Sequence, residues 1–129
     1  SLATDSFLAE CMVAQPRAEF IVGLKKEAGL GHALIIGRGG TAVEELRDYA
    51  LLLLPASAQQ ITAAVSGLAI TQKLRLDEAA QSALVSAVQA IAAFALDNRE
   101  QLVELDVNPL ILDIDGSVTA VDALVRVKV

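Results

Sequence analysis

The sequence has few aromatic residues, one cysteine and one histidine. Only 3% of its 129 residues are aromatic, and tryptophan is absent. The single cysteine, Cys11, excludes an internal disulfide and fits a reducing compartment, which predicts a cytoplasmic location. A lone histidine, His32, without a Gly-x-Ser-x-Gly turn excludes a Ser-His-Asp triad, and no P-loop signature is present. We therefore expect His32 to be structural.

The sequence also lacks a long apolar run and an excess of basic residues. Without 18 consecutive apolar residues, no membrane span is predicted. The net charge of −6 argues against a nucleic-acid partner, because that surface needs a basic stripe. Apolar residues make up 54% of the chain, so leucine, valine, isoleucine and alanine must build the core. The length predicts a single domain, residues 1–129. The missing initiator methionine suggests a piece of a longer protein.

Apolar runs bounded by turn residues predict the strands. Residues 6–13 and 18–25 flank a Pro16 turn and are expected to form an antiparallel pair. Shorter strands are expected at 33–36 and 49–54. A final hairpin is expected from residues 102–114 and 117–128.

Capping residues and helical periodicity predict two helices between these strands. Ser57 and Gln60 match a capping box, and that helix should stop at Gly67. The second helix should begin after Asp77. Its apolar stripe follows one helical face: Leu84, Val88, Ile91 and Ala95. The pattern predicts an α+β fold, a largely antiparallel sheet with two main helices on one face.

The segment ELDVNPL, residues 104–110, alternates between polar and apolar residues and precedes an Asp115-Gly116 turn. A three-residue loop ending at Gly116 gives facing residues whose numbers sum to 230, and Asn108 then opposes Asp122. A two-residue loop would change the sum to 231 and separate them to opposite faces. We adopt the three-residue interpretation.

The facing pair and Asp106 would form a cluster of hard oxygen ligands suited to Mg²⁺ on phosphates. The simpler interpretation is a solvent-facing sheet surface, where polar alternation is common. Two details favour the metal site, because asparagine is depleted in strands and Asn108-Pro109 breaks the ladder. Glu104 would oppose Arg126 in the same register, which indicates a structural ion pair.

Gly37-Arg38-Gly39-Gly40 forms a glycine-rich segment with two interpretations. A tight turn is the more frequent role of such a segment, and a backbone approached closely by phosphate is the functional alternative. Glu44 and Glu45 follow it, either as surface charges or as a second acidic contribution.

The order of these motifs resembles a known family. The motifs are FLAECMV at 7–13, AEFIVG at 18–23, GRGGTAVEELRD at 37–48, ELDVNPL at 104–110 and AVDA at 120–123. Together they resemble the C-terminal part of the ATP-grasp domain of NDP-forming acyl-CoA synthetases, the acetate–CoA ligase (ADP-forming) group, which is related to the succinyl-CoA synthetase β subunit. The resemblance covers nearly the whole chain and implies the ATP-grasp C-terminal subdomain fold.

The resemblance implies a nucleotide site without a catalytic side chain of its own. It assigns the Mg²⁺ ligands to Asn108 and Asp122, with Asp106 beside them. It assigns contacts to bound ATP or ADP as follows: Glu10, Cys11, Met12 and Val13 at the base, Glu19 near the ribose, and Gly39 and Gly40 near the phosphates.

The resemblance also implies the activity of the complete enzyme, an acid–CoA ligase (ADP-forming). Such an enzyme couples acyl-CoA cleavage or formation to ADP/ATP phosphoryl transfer through a phosphohistidine in another domain. The implied partners are the N-terminal ATP-grasp lobe, with its phosphate-holding lysine, and the CoA-binding and phosphohistidine domains. The isolated fragment is expected to be inactive.

The alternative is a catalytically degenerate regulatory or interaction module, for example one fused to a protein acetyltransferase. Retention of all three metal ligands favours the ligase. The sequence departs from the family at Cys11, where a glutamate is usual, and at Arg38, where an apolar residue is common. A Gly-Arg-Gly element expected within residues 68–75 is also missing.

Overall fold

The computed structural model describes residues 12–40 and 47–129, which form an α+β fold. The strands are β1 (Pro16–Glu27), β2 (Gly31–Arg38), β3 (Tyr49–Leu53), β4 (Leu102–Asp113), β5 (Val118–Ala120) and β6 (Ala123–Val127). The helices are α1 (Ala58–Gly67), α2 (Ala69–Lys73) and α3 (Glu78–Asp97). The expected fold class is confirmed, and the short helix α2 is an addition that the sequence pattern did not predict.

The described strands form one antiparallel sheet in the order β3-β2-β1-β4-β5, with β6 also paired to β4. The central strand β1 is hydrogen-bonded to β2 on one edge and to β4 on the other over residues 20–25. The expected antiparallel pairing of residues 6–13 with 18–25 is therefore wrong, because β1 has no free edge there. Most of residues 6–13 lies outside the described residues.

Alternation along β1 divides the sheet into two faces. Phe20, Val22 and Leu24 are buried, whereas Ile21 and Gly23 between them are half-buried and Lys25 is exposed. The buried residues belong to a core that joins the sheet to the helices and is almost wholly aliphatic, as the composition predicts. We call the helix-packed side the covered face and the other side the outer face.

The two predicted helices begin as their capping residues indicate. The Ser57 hydroxyl accepts a hydrogen bond from the Gln60 backbone N–H (3.1 Å), and the Gln60 side chain accepts from the Ser57 N–H (2.8 Å). The Asp77 carboxylate likewise accepts from the Ala80 N–H (2.8 Å). Helix α1 ends at Gly67, as expected.

Helix α3 is long and apolar enough, by length and composition, to cross a membrane. In the structure, one side of it packs onto the sheet. Leu84, Val88 and Ala95 of its predicted stripe are buried, together with Ala92, and Ile91 is half-buried against the core. These contacts place α3 in the layer over the covered face.

A β-bulge in β4 decides which of its residues reach the outer face. The register between β1 and β4 shifts by one residue between Phe20 and Val22, so Ile21 stands opposite both Asn108 and Pro109. Two residues facing one is the definition of a bulge. The predicted break of the ladder at Asn108-Pro109 is confirmed.

The extra residue changes the alternation of β4 across the bulge. Before it, Leu105 and Val107 belong to the core, and after it Leu110 and Leu112 do. An unbroken strand would have carried one of these pairs to the outer face. The bulge thus keeps four apolar side chains in the core and leaves Asn108 exposed.

Candidate functional site

The closing hairpin has the register that the three-residue loop predicts. Leu110 pairs with Ala120 and Val107 pairs with Ala123, and both pairs of numbers sum to 230. The loop begins where the Asp113 N–H donates to the Ser117 carbonyl (2.9 Å). Gly116 adopts φ 88°, the left-handed conformation that glycine provides at no steric cost. The two-residue alternative is excluded.

Asn108 and Asp122 face each other at the point where the partner strand is interrupted between β5 and β6. The Asn108 N–H donates to the Asp122 carbonyl at 3.0 Å, and the Val121 N–H donates to the Pro109 carbonyl at 3.0 Å. Residues that oppose each other in an antiparallel pair have side chains on the same face. Both Asn108 and Asp122 are exposed, so the two side chains belong to the outer face.

Asp106 lies two residues before Asn108 on the same strand and opposes Gly23 of β1 and Leu124 of β6. Its Oδ1 is 3.8 Å from the position that a Cβ would take on Gly23. Because Gly23 has no side chain, the outer face remains open beside this carboxylate. The structure therefore places the three predicted metal ligands on one face.

The donor set of this cluster fits Mg²⁺, which prefers oxygen ligands. Arg126 pairs with Glu104 at 3.0 Å, as the register predicts. Within residues 12–40 and 47–129, neither Asp106 nor Asp122 forms a salt bridge. That same part of the chain holds no group of three or more His, Cys, Asp or Glu residues arranged for a metal. The third oxygen donor here is the amide of Asn108.

The glycine-rich segment packs directly on Glu19. The Gly39 N–H donates to the Glu19 carbonyl at 2.8 Å. A Cβ on Gly39 would stand 3.2 Å from backbone atoms of Glu19 and Phe20, so a side chain is excluded unless the strand moves. Gly40 adopts φ 91°, and a Cβ there would lie 3.5 Å from Glu19 Oε2. The structure thus brings Glu19, Gly39 and Gly40 together.

Asp48 joins the beginning of this segment to helix α2, a role that the sequence did not predict. The Arg38 N–H donates to the Asp48 carbonyl at 2.9 Å. The Asp48 carboxylate accepts from the N–H groups of Ala69 (2.7 Å) and Ile70 (2.8 Å), which begin α2. A capping residue 21 positions before its helix leaves no local signal in the sequence.

The two groups of residues share the outer face of β1. Glu19 opposes Ile111 and Gly23 opposes Asp106, with Ile21 opposite the bulge between them. Four residues of strand separate Glu19 from Gly23 by about 13 Å, at 3.3 Å per residue. Asn108 lies between the two ends of this stretch.

Other predicted site residues have different outcomes. Glu10 and Cys11 lie outside the described residues, as do Glu44 and Glu45. Met12 is 91% exposed and precedes β1, and Val13 beside it is half-buried.

His32 is buried, with its Nε2 donating to the Leu102 carbonyl at 2.8 Å. This hydrogen bond joins β2 to the start of β4. The predicted structural role of His32 is confirmed.

Comparison with curated proteins identifies relatives over most of this chain. The chain is 27% identical over 119 residues to the acetate–CoA ligase [ADP-forming] II subunit beta of Pyrococcus furiosus, covering 88% of this chain and 50% of that protein. It is 30% identical over 98 residues to the 4-hydroxybutyrate–CoA ligase [ADP-forming] of Nitrosopumilus maritimus, covering 73% of this chain and 14% of that protein. The chain thus spans half or less of these relatives.

Solved structures show the same fold. The dinucleotide forming acetyl-coenzyme A synthetase 1 of Ca. Korarchaeum cryptofilum, in complex with coenzyme A and Mg-AMPPCP, superposes with a TM-score of 0.75 at 26% identity. That match covers 89% of this chain and 55% of the other. A Pyrococcus horikoshii protein superposes with a TM-score of 0.79 at 24% identity, over 89% of this chain and 50% of the other, and shows the fold alone. Residues 2–127 match the ATP-grasp domain family, and the chain belongs to that family.

Proposed function

We propose that this chain is the C-terminal lobe of an ATP-grasp domain in an ADP-forming acid–CoA ligase, where it supplies Mg²⁺ ligands and one wall of the nucleotide cleft. Asn108 and Asp122, with Asp106 beside them, would hold the ion. Glu19, Gly39 and Gly40, with the segment from Glu10 to Val13, would contact ATP or ADP.

One observation carries the proposal: the bulge and the hairpin register put Asp106, Asn108 and Asp122 on the face that also carries Glu19. Gly39 and Gly40, which we call the glycine turn, pack on Glu19 at the same face. The bulge keeps the apolar side chains of β4 in the core on both sides of it and leaves Asn108 exposed on the outer face. Without it, apolar residues of β4 would occupy the outer face instead of the core. The central strand β1 thus pairs with β4, which carries the polar cluster, and also contacts the backbone of Gly39.

Each group has a role that follows from its chemistry. A bound Mg²⁺ would neutralise charge on phosphate oxygens. The carboxylates of Asp106 and Asp122 would hold the ion, and the Asn108 amide would add a neutral oxygen ligand. Gly39 packs on the backbone of Glu19, and the absence of a side chain at Gly40 beside it would let a phosphate approach the backbone there.

The proposed partners are the other lobe of the ATP-grasp domain and the CoA-binding and phosphohistidine domains of the same enzyme. The outer face supports this, because it exposes apolar side chains next to the proposed site. Ile35, Tyr49, Leu51 and Leu53 are 39–60% exposed on β2 and β3. Clustered exposed apolar residues mark surfaces that another protein element covers.

The metal site can be tested on the ¹⁵N-labelled chain with Mn²⁺ as a paramagnetic substitute for Mg²⁺, in the presence of ADP. We expect selective broadening of the amide signals of residues 106–108 and 122. Asp122→Asn should weaken Mn²⁺ binding by about tenfold or more, since even indirect partners of metal ligands contribute that much. Asp97→Asn, an equivalent change at the exposed end of α3, is the matched control and should bind as the unaltered chain does.

In the complete enzyme, Asp122→Ala should abolish ADP-dependent acyl-CoA cleavage while the thermal unfolding midpoint stays close to that of the parent. Equal Mn²⁺ binding by both Asp variants, or unchanged acyl-CoA cleavage, would refute the metal assignment. Such a result would favour the degenerate regulatory module.

A further inference from the structure

A cavity of about 430 Å³ opens at the end of the sheet beside the glycine turn. Its walls come from β1, the end of β2 and helix α2. The lining residues that matter here are Arg17, Glu19, Arg38, Gly39, Lys73 and Leu74. The cavity therefore adjoins the turn proposed to approach phosphate but is not lined by any of the three metal ligands.

The charge of this cavity is opposite to that of the chain. Arg17, Arg38 and Lys73 contribute three positive charges, and among the residues that the structure describes Glu19 is the one carboxylate that lines it. The chain as a whole carries a net charge of −6. Across the parts of the chain that the structure describes, none of the three cations forms a salt bridge. Such a concentration of cations in a concave site favours an anionic ligand.

Helix α2 carries Lys73, and its backbone is fixed at both ends. Its first N–H groups donate to the Asp48 carboxylate. At the other end, Arg17 Nη2 donates to the Leu74 carbonyl at 3.2 Å. Lys73 precedes Leu74, so these contacts set its position relative to Arg17.

Asp48 also fixes the backbone of Arg38, the third residue with a cationic side chain. Its carbonyl accepts from the Arg38 N–H at 2.9 Å, which joins the end of β2 to the residue that caps α2. The elements that carry Arg17, Arg38 and Lys73 are thus linked by hydrogen bonds before any ligand binds. Preorganisation of this kind lowers the entropic cost of binding.

We propose that this cavity binds a phosphoryl group, with Arg17, Arg38 and Lys73 as its cationic ligands. Guanidinium groups match phosphate oxygens with paired N–H donors, and lysine adds a point charge. The inference rests on the proposed function, because it extends the nucleotide site from the glycine turn onto α2. The phosphoryl group is either part of the nucleotide or a separate phosphoryl donor or acceptor that meets it there.

The test is a titration of the ¹⁵N-labelled chain with inorganic pyrophosphate at constant ionic strength, followed by amide chemical shifts. The amides of Gly39 and Lys73 should shift with a common dissociation constant. Lys73→Gln and Arg38→Gln should each weaken binding by about tenfold, the effect of one charge-assisted hydrogen bond. Arg38→Lys keeps the charge and should lose less affinity than Arg38→Gln.

The matched control is Lys25→Gln, which removes the same charge at the exposed side of β1. Eight residues of strand, about 26 Å at 3.3 Å per residue, separate it from Arg17. Pyrophosphate should bind this variant as it binds the unaltered chain. If Lys25→Gln and Lys73→Gln weaken pyrophosphate binding equally, the overall charge of the chain explains the effect, and the proposal is overturned. Unchanged binding by Lys73→Gln and Arg38→Gln, with native amide dispersion, would also overturn it.

Addition of ADP then distinguishes the two sources of the phosphoryl group. Competition between ADP and pyrophosphate assigns the cavity to the nucleotide phosphates, whereas simultaneous binding assigns it to a separate phosphoryl group. The Mn²⁺ experiment tests the metal site independently of the phosphoryl-binding cavity. If Asp122→Asn weakens Mn²⁺ binding and Lys73→Gln leaves pyrophosphate binding intact, the metal site stands and the cavity assignment fails.

Discussion

The two faces of the same sheet differ in what their residues do. On the covered face, Phe20 and Val22 are 1% and 0% exposed under the helices. On the outer face, Tyr49 and Leu51 are 60% and 59% exposed. The outer face also carries the carboxylate–amide cluster around Asn108. One face therefore supplies most of the folding free energy, and the other is left available for binding.

The largest expected difference between the faces comes from truncating an apolar residue on each. Phe20→Ala should lower the free energy of unfolding by about 3–5 kcal/mol, because it removes a buried aromatic ring and leaves a cavity. Leu51→Ala should lower it by less than about 1 kcal/mol, since that side chain is mostly solvent-exposed. Urea unfolding followed by far-UV circular dichroism measures both values. Similar losses would mean that the outer face is covered in solution.

The glycine turn offers a second comparison, this time between a crowded glycine and an uncrowded one. Gly39→Ala should destabilise the chain by about 1–3 kcal/mol, because its Cβ would press on backbone that two neighbouring elements hold. A Cβ on Gly67, at the end of α1, would meet nothing within 4 Å. Gly67→Ala should therefore be neutral or stabilising by up to about 1 kcal/mol. The thermal unfolding midpoint of Gly39→Ala should fall, whereas that of Gly67→Ala should rise or stay unchanged. An unchanged midpoint for Gly39→Ala would show that the backbone around Glu19 yields to a side chain at no cost.

The Glu104–Arg126 pair measures how much polar contacts on the outer face contribute to stability. Both side chains are partly exposed, 42% and 61%, so solvent screens their attraction. A double-mutant cycle with Glu104→Gln and Arg126→Gln should give a coupling free energy of about 0.2–1 kcal/mol. The coupling should fall further in high salt. A coupling of several kcal/mol would show that this pair is shielded from water.

The smallest expected effect is a pH dependence in the hairpin loop. The Ser117 hydroxyl (2.6 Å) and backbone N–H (2.8 Å) donate to Asp115 Oδ1, and these bonds hold the pKa of Asp115 below its ordinary value. The folded state then binds a proton less readily than the unfolded state. The resulting stability is present above the ordinary aspartate pKa of about 3.9 and is lost as the pH falls through the folded value.

The Asp115→Ala variant should lack this part of the acid dependence. Its thermal unfolding midpoint should lie slightly below that of the unaltered chain at neutral pH, and the difference should shrink in acid. Midpoints measured from pH 2 to pH 7 test this. A difference that stays constant over that range would show that the charge of Asp115 does not contribute.

Local patterns predicted most of the described elements. The Ser57 capping box and the Asp77 cap located the helix starts, because these interactions span only three residues. The hairpin register followed from its loop, since the loop length fixes which residues oppose each other. The facing of Asn108 and Asp122 was therefore available from the sequence, although the metal itself stays a prediction.

Features that depend on distant residues were missed or predicted wrongly. One edge of β1 is occupied by β4, whose residues lie up to 97 positions later in the sequence (Pro16 pairs with Asp113). No local pattern near β1 therefore argued against the expected pairing with residues 6–13. Helix α2 depends on a carboxylate supplied by Asp48, more than 20 positions earlier. The cationic cavity likewise joins residues of three separate elements.

The sequence by itself determined the apolar stripes, the helix caps and the hairpin register, because each depends on periodicity or contacts between near neighbours. Only the tertiary structure decided which strands flank β1, where α2 docks and which charges meet beside the glycine turn. Those outcomes depend on which surfaces bury the most apolar area together, and that is a property of the folded chain rather than of any one segment.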